Sequence, residues 1–190
     1  MTLDLDGAVL LPVDMQRAFD CAPWPRRWNG LVDQNGLSIL ARWREKGLPI
    51  VHVRHDSVIE GSTLAPGSEG NRLRPGFEPT EGEPLVSKSV NSAFIGTDLD
   101  LRLRRLGASR VIAFGISTDM CVSTTVRTGA NLGWEMVLVD DACDCFDLPD
   151  GKGGTIPAES VQAAHVATLG YEFCTVVSTA QLLERLGQLD

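Results

Sequence analysis

Six short apolar runs recur along the chain, GAVLLPVD, LPIVHVR, PLVSKS, RVIAFG, WEMVLVDDA and YEFCTVV, and helical or polar stretches separate them. Each run is of strand length and too short for a buried helix. This alternation is the strongest constraint on the fold. Strands that are each returned by a helix form a parallel sheet covered on both faces, so the chain reads as α/β, three layers around a six-stranded parallel sheet.

The intervening segments carry helix signals. Residues from about Leu31 to Lys46 repeat apolar positions at helical spacing and stop at Gly47. TDLDLRLRRL reads as a helix with Thr97 as N-cap and Gly107 at its end. VSTTVRTGANL follows the fourth strand and closes at Gly133. PAESVQAAHVATLG starts on Pro157 and is expected to end at Gly170, and STAQLLERLGQL is the last helix. Residues 56–84 and 142–156 read as irregular loops. No repeat or linker divides the chain, so residues 1–190 are expected to form one domain.

Composition narrows the function classes. At 43% hydrophobic and 22% charged residues, 190 residues can bury a sizeable core. The net charge of -8 disfavours nonspecific attraction to nucleic acid or to an anionic membrane. No apolar stretch is long enough to span a bilayer, and the acidic N-terminal run does not look like a secretory signal. Five irregularly spaced cysteines, Cys21, Cys121, Cys143, Cys145 and Cys174, argue against a disulfide scaffold and point to a reducing cytoplasm.

Ligands of such sheets bind beyond the carboxyl ends of the strands. Asp14 follows the first strand, Lys88 the third and Cys121 the fourth. A thiol at a strand-to-helix turn lies where backbone N–H groups and the helix dipole favour a thiolate. Asp14 has the chemistry of a general base for that thiol, and Lys88 that of its electrostatic partner. Backbone N–H groups from Ile116 to Cys121 are positioned to receive an oxyanion. Singly, each residue also has an ordinary reading: a buried cysteine, a capping Asp, a surface Lys.

Three motifs set these residues in a larger pattern. They are D-x-Q-x-x-F at Asp14, K-x-x-x-S-A-F-x-G-T-x-L at Lys88, and G-x-x-T-x-x-C-V ending at Val122. With the late HVATLG and VVSTAQLL segments, nearly the whole chain resembles the isochorismatase-like cysteine hydrolases. The resemblance implies a Rossmann-like six-stranded parallel sheet and an Asp–Lys–Cys triad of Asp14, Lys88 and Cys121. It also implies a non-proline cis peptide at Ile116–Ser117 and, because members commonly assemble, a homo-oligomer. The HVRHDSVIEGSTLAPGSEGN stretch resembles a subgroup that includes a streptothricin-opening lactam hydrolase.

Departures from the family narrow the reading. Nicotinamidases of this family hold a metal through a D-x-H pattern after the second strand, and this chain has VHVRHDS there. No metal and no cofactor are therefore expected, and side chains must hold the substrate. Phe19, Trp24, Arg54, His55 and Asn91 are the candidate pocket residues by position, while His52 is expected in the sheet. Cys143-x-Cys145 lacks structural-zinc spacing and reads as an acidic loop. Trp24, Trp28 and Trp43 are candidates for an oligomer contact or for the core. Retention of Cys121 points to hydrolysis of a small amide, lactam or ureido compound through a thioester. A vinyl-ether hydrolase of the isochorismatase type, and a metabolite-binding or redox-sensing domain, are the alternatives.

Overall fold

The computed structural model describes residues 3–20 and 23–189, so Cys21 lies outside the described residues. Six strands form one parallel sheet: β1 (Ala8–Val13), β2 (His52–His55), β3 (Leu85–Lys88), β4 (Arg110–Gly115), β5 (Glu135–Val139) and a last strand, Thr175–Val177. A hairpin of β6 (Leu148–Pro149) and β7 (Thr155–Ile156) precedes that last strand, which is therefore β8. The sheet order is β3-β2-β1-β4-β5-β8. The helices are α1 (Val32–Glu45), α2 (Leu99–Arg105), α3 (Ser123–Asn131), α4 (Ala158–Glu172) and α5 (Thr179–Gly187). α1 packs with α5, and α3 with α4, in a three-layer α/β/α arrangement.

The chain winds outward from β1 to β2 and β3, then returns past β1 to β4 and continues the other way. The winding direction reverses between β1 and β4, and the carboxyl ends of those two strands flank a crevice. This is the topological switch point of an open α/β sheet. Both strands are buried along their whole length, as a central parallel strand requires.

Two local features shape that crevice. Pro12 has no N–H, so the β1–β2 ladder lacks a rung between Leu10 N–H on Pro49 O (3.0 Å) and Asp14 N–H on Val53 O (3.0 Å). At the end of β4, Gly115 pairs with Val13 and takes φ +140. A Cβ there would stand 2.0 Å from Val13 O, so only glycine lets the two strand ends approach this closely.

Several expected boundaries move. α4 continues through Gly170 to Glu172, which leaves only Thr175–Val177 as β8. Gly170 serves packing rather than helix termination, because a Cβ there would lie 3.0 Å from Val176 Cγ2. The N-cap of α2 is Asp98, although Thr97 Oγ1 still accepts the Leu99 N–H at 3.3 Å. The 142–156 loop contains the β6–β7 hairpin. Trp43 is a core residue, fully buried, and its Nε1–H donates to Pro49 O at 2.9 Å. Trp28 is partly buried against Cys145, Ala158 and Val161. Among the described residues no helix is long and apolar enough to cross a membrane.

Candidate active site

Asp14 leaves β1 in the left-handed region at φ +52, which Asp adopts more readily than most other non-glycine residues. Its N–H remains in the sheet, and its carbonyl accepts the Gln16 N–H at 2.7 Å. That sharp turn points the carboxylate into the crevice. Its side chain is completely buried.

Lys88 ends β3, two strands away, and is paired in register with His55 at the end of β2. Neighbouring strands lie about 4.8 Å apart, so a side chain must cross the end of β2 to reach Asp14, and a lysine has the length. The Lys88 Nζ donates to Asp14 Oδ2 at 2.6 Å and to Cys121 Sγ at 3.2 Å, and stands 3.1 Å from His55 Nδ1. These are three contacts for the three N–H bonds of one ammonium.

Cys121 lies in a single π-helical turn, Thr118–Val122, between the end of β4 and the start of α3. The wider turn is anchored by Val122 N–H on Ser117 O (3.1 Å), and π turns recur at functional sites. The Ile116–Ser117 peptide that leads into it is cis. The Ile116 N–H belongs to the sheet, on Val13 O at 3.0 Å. Thr118 and Met120 donate to Asp144 O (2.8 Å) and Ser117 O (3.2 Å). Asn91, on the loop after β3, places Oδ1 3.9 Å from the Cys121 sulfur.

Burial dominates the electrostatics. It raises the Asp14 carboxyl above its ordinary value, against the opposing pull of Lys88, Cys121 and His55. Burial and then the Asp14 charge push the Cys121 thiol well up, with Lys88 opposing. Desolvation thus outweighs the helix-start position, which by itself favours a thiolate, and the thiol needs a base to give up its proton. His55 is lowered, first by burial and then by the Lys88 charge.

Asp14, His55 and Cys121 place ligand-type atoms within 4.8 Å of one another, a donor set that a metal ion could use. The Lys88 ammonium, in contact with all three, already supplies a cation there.

Of the other candidates, Phe19 and Trp24 join Phe146 in an aromatic cluster, with ring centroids 4.8 Å (Phe19–Trp24) and 5.0 Å (Trp24–Phe146) apart. Two isolated bridges tie the segment that carries Phe146 to its neighbours, Asp144 to Ile116 and Phe146 to Arg27. Arg54 is not brought to the trio. By strand alternation it faces the opposite side of β2 from His55, and its guanidinium pairs with Asp56 at 2.8 Å and Ser87 Oγ at 3.2 Å. His52 is buried in the sheet with Nε2 2.8 Å from Glu83. The Cys143 and Cys145 thiols are buried and donate to Val139 O and Ala158 O.

Two contributors escaped the reading of the sequence, Gln16 and Asn71. The Gln16 side chain accepts the His55 N–H at 2.9 Å and donates to the His55 carbonyl at 2.9 Å. Asn71 donates to the same carbonyl at 3.0 Å. Gln16 stood in the D-x-Q motif, so its position was visible and its partner was not. Asn71 closes the long 56–84 excursion back onto the site and had no local signal.

Known proteins share this sequence pattern and this fold. The isochorismatase domain model matches residues 8–181. The isochorismatase family protein YrdC of Bacillus subtilis is 36% identical over 174 residues, covering 92% of this chain and 93% of that protein. A streptothricin hydrolase of Streptomyces noursei is 32% identical over 169 residues, which cover 86% of this chain and 59% of that enzyme. The crystal structure of an isochorismatase-family protein from Chromobacterium violaceum superposes with a TM-score of 0.94 at 39% identity, covering 100% of this chain and 98% of that one. With the sheet order, the switch-point crevice and the buried Asp14, Lys88 and Cys121 in place, the chain belongs to the isochorismatase family of hydrolases.

Proposed function

We propose that this chain is a cysteine-dependent amidohydrolase, one domain acting on the C–N bond of a small amide, lactam or ureido compound. The observation that carries the reading is the single Lys88 ammonium touching both Asp14 and Cys121. Asp14 Oδ1 is buried without a hydrogen-bond partner, and its raised pKa suits it to accept a proton. As the Cys121 sulfur attacks the carbonyl carbon, its proton passes to Asp14 and the S–C bond forms. The Ser117 and Cys121 amides are assigned to the oxyanion; those of Ile116, Thr118 and Met120 have partners within the protein. The C–N bond breaks, Asp14 returns the proton to the leaving nitrogen, and a thioester remains. Water then attacks the thioester with Asp14 as base again, releasing the acid and the free thiol.

A relative that is a ureidoacrylate amidohydrolase supports this class of bond without fixing the substrate. Phe19, Trp24 and Asn91 are the proposed substrate contacts. We place the protein in a reducing compartment, since none of the four described cysteines forms a disulfide. A homo-oligomer remains the proposed assembly.

The test is a panel of small amides, lactams and ureido compounds, with mass spectrometry of the protein to trap an acyl adduct on Cys121. The parent protein turns over at least one compound, and Cys121→Ala abolishes that turnover. Undiminished turnover by Cys121→Ala overturns the mechanism, and its retained activity on isochorismate would assign vinyl-ether hydrolysis instead.

A further inference from the structure

His55 stands beside the trio without being one of its three members. Its backbone is clamped on both sides by the Gln16 amide, and Asn71 holds its carbonyl a third time. That clamp ties β2 to the turn that carries Asp14. Its ring nitrogen Nδ1 faces the Lys88 ammonium at 3.1 Å. An ammonium only donates, so Nδ1 accepts, and the neutral ring carries its hydrogen on Nε2.

The ammonium has three hydrogens and three acceptors: Asp14 Oδ2, Cys121 Sγ and His55 Nδ1. Take away the third acceptor, and one N–H is left unpaired in a buried site, which a free rotor relieves by turning. The contact most exposed to that turning is the one to sulfur, the weakest of the three acceptors.

We propose that His55 is a positioning residue, whose Nδ1 holds the third N–H of Lys88 so that the other two stay directed at Asp14 and Cys121. It acts through Lys88 and not on the reacting atoms. The kinetic arm of the test rests on the amidohydrolase reading above, whereas the labelling arm does not.

The arrangement gives His55 a pH dependence. Charged and titratable groups face it from each neighbouring segment: Lys88 at the end of β3, Asp14 after β1, and Asp56 next in its own segment, with Cys121 across the crevice. A proton on Nδ1 replaces an acceptor with a second cation against Lys88. Both carboxylates favour that proton, while burial and Lys88 oppose it and prevail. Positioning is therefore intact at neutral pH and fails as the pH falls below the ordinary histidine range.

The experiment compares the parent protein with His55→Ala and His55→Asn. The Asn side-chain oxygen sits where Nδ1 does, accepts from Lys88 and does not titrate. Alkylation of Cys121 by iodoacetamide, followed by mass spectrometry across the acid-to-neutral range, reports the site without any substrate. His55→Ala is expected to react about tenfold more slowly, the scale of one charge-assisted hydrogen bond, and His55→Asn to recover most of the rate without the histidine acid limb. With an amide substrate the loss in His55→Ala falls on kcat more than on KM. Parent-like alkylation by His55→Ala overturns the proposal. So does a His55→Asn rate no better than that of His55→Ala, because the ring would then act through something other than its acceptor. If His55→Ala does not fold, the pH profile of His55→Asn against the parent decides: an unchanged acid limb overturns the proposal. Labelling that follows the expectation in a protein that cleaves no amide sustains the positioning role and removes the amidohydrolase reading.

Discussion

Lys88 Nζ lies 2.6 Å from Asp14 Oδ2, and neither side chain has any exposed surface. The two residues are 74 positions apart and come from opposite sides of β2. Each charge is tolerated in the interior because the other is there.

That mutual dependence gives a measurable coupling. Lys88→Met leaves Asp14 without its counter-charge and is expected to destabilise the fold by about 3 kcal/mol. Asp14→Asn, which suits the left-handed backbone at φ +52, leaves Lys88 as the unpaired partner. The double variant removes both charges and should regain most of the stability, while staying inactive. Urea unfolding of the four proteins measures this, and simple additivity of the two losses would contradict it.

Gly115 and Gly170 should respond differently to alanine. At Gly115 the new Cβ meets Val13 O at 2.0 Å, and φ +140 disfavours any side chain. Gly115→Ala is expected to cost more than about 4 kcal/mol or to prevent folding. At Gly170 the contact is 3.0 Å to the far end of Val176, and the helix gains about 1 kcal/mol from alanine. Gly170→Ala should therefore change stability by less than about 1 kcal/mol. Thermal melts distinguish the two, and equal losses would show that the strand-end approach is not special.

Glu83 makes stability sensitive to acid. Burial raises its carboxyl, but hydrogen bonds from Arg44 (2.8 Å), Thr80 (2.9 Å) and His52 (2.8 Å) overcome this and hold it well below the carboxylate range. Its folded pKa is thus depressed, so its contribution is present above the unfolded value of 4.5 and is lost as the pH falls below it. Glu83→Gln should cost about 2 kcal/mol at neutral pH, and its difference from the parent should shrink in acid. Unfolding curves at several pH values check this, and a pH-independent difference would refute it.

Phe146 packs against Trp24 and Phe19, with only 3% of its surface exposed. Phe146→Ala should destabilise by about 3 kcal/mol. It should also change the Trp24 fluorescence, because the neighbouring ring 5.0 Å away is removed. Emission that matches the parent would show that the cluster is not formed in solution.

Much of this was legible in the chain itself. Strand runs separated by helices determine a parallel sheet, because parallel neighbours need a crossover and a buried strand must be apolar on both faces. RVIAFG became β4 with the same limits, Arg110–Gly115. The three motifs located Asp14, Lys88 and Cys121, since each follows or ends a strand and carries reactive chemistry. The tertiary structure decided what those residues meet. Lys88 points at Asp14 because of the register of β3 on β2 and the sheet order, which no local pattern encodes. Arg54 faces away from the trio because strand alternation, once the register is set, puts it on the other side from His55. The upward shift of the Cys121 thiol also depends on packing, because desolvation comes from the whole surrounding chain and opposes the favourable turn. His55 and Gln16 found their roles the same way, as contacts between β2 and the turn after β1, 39 residues apart and joined only in the folded sheet.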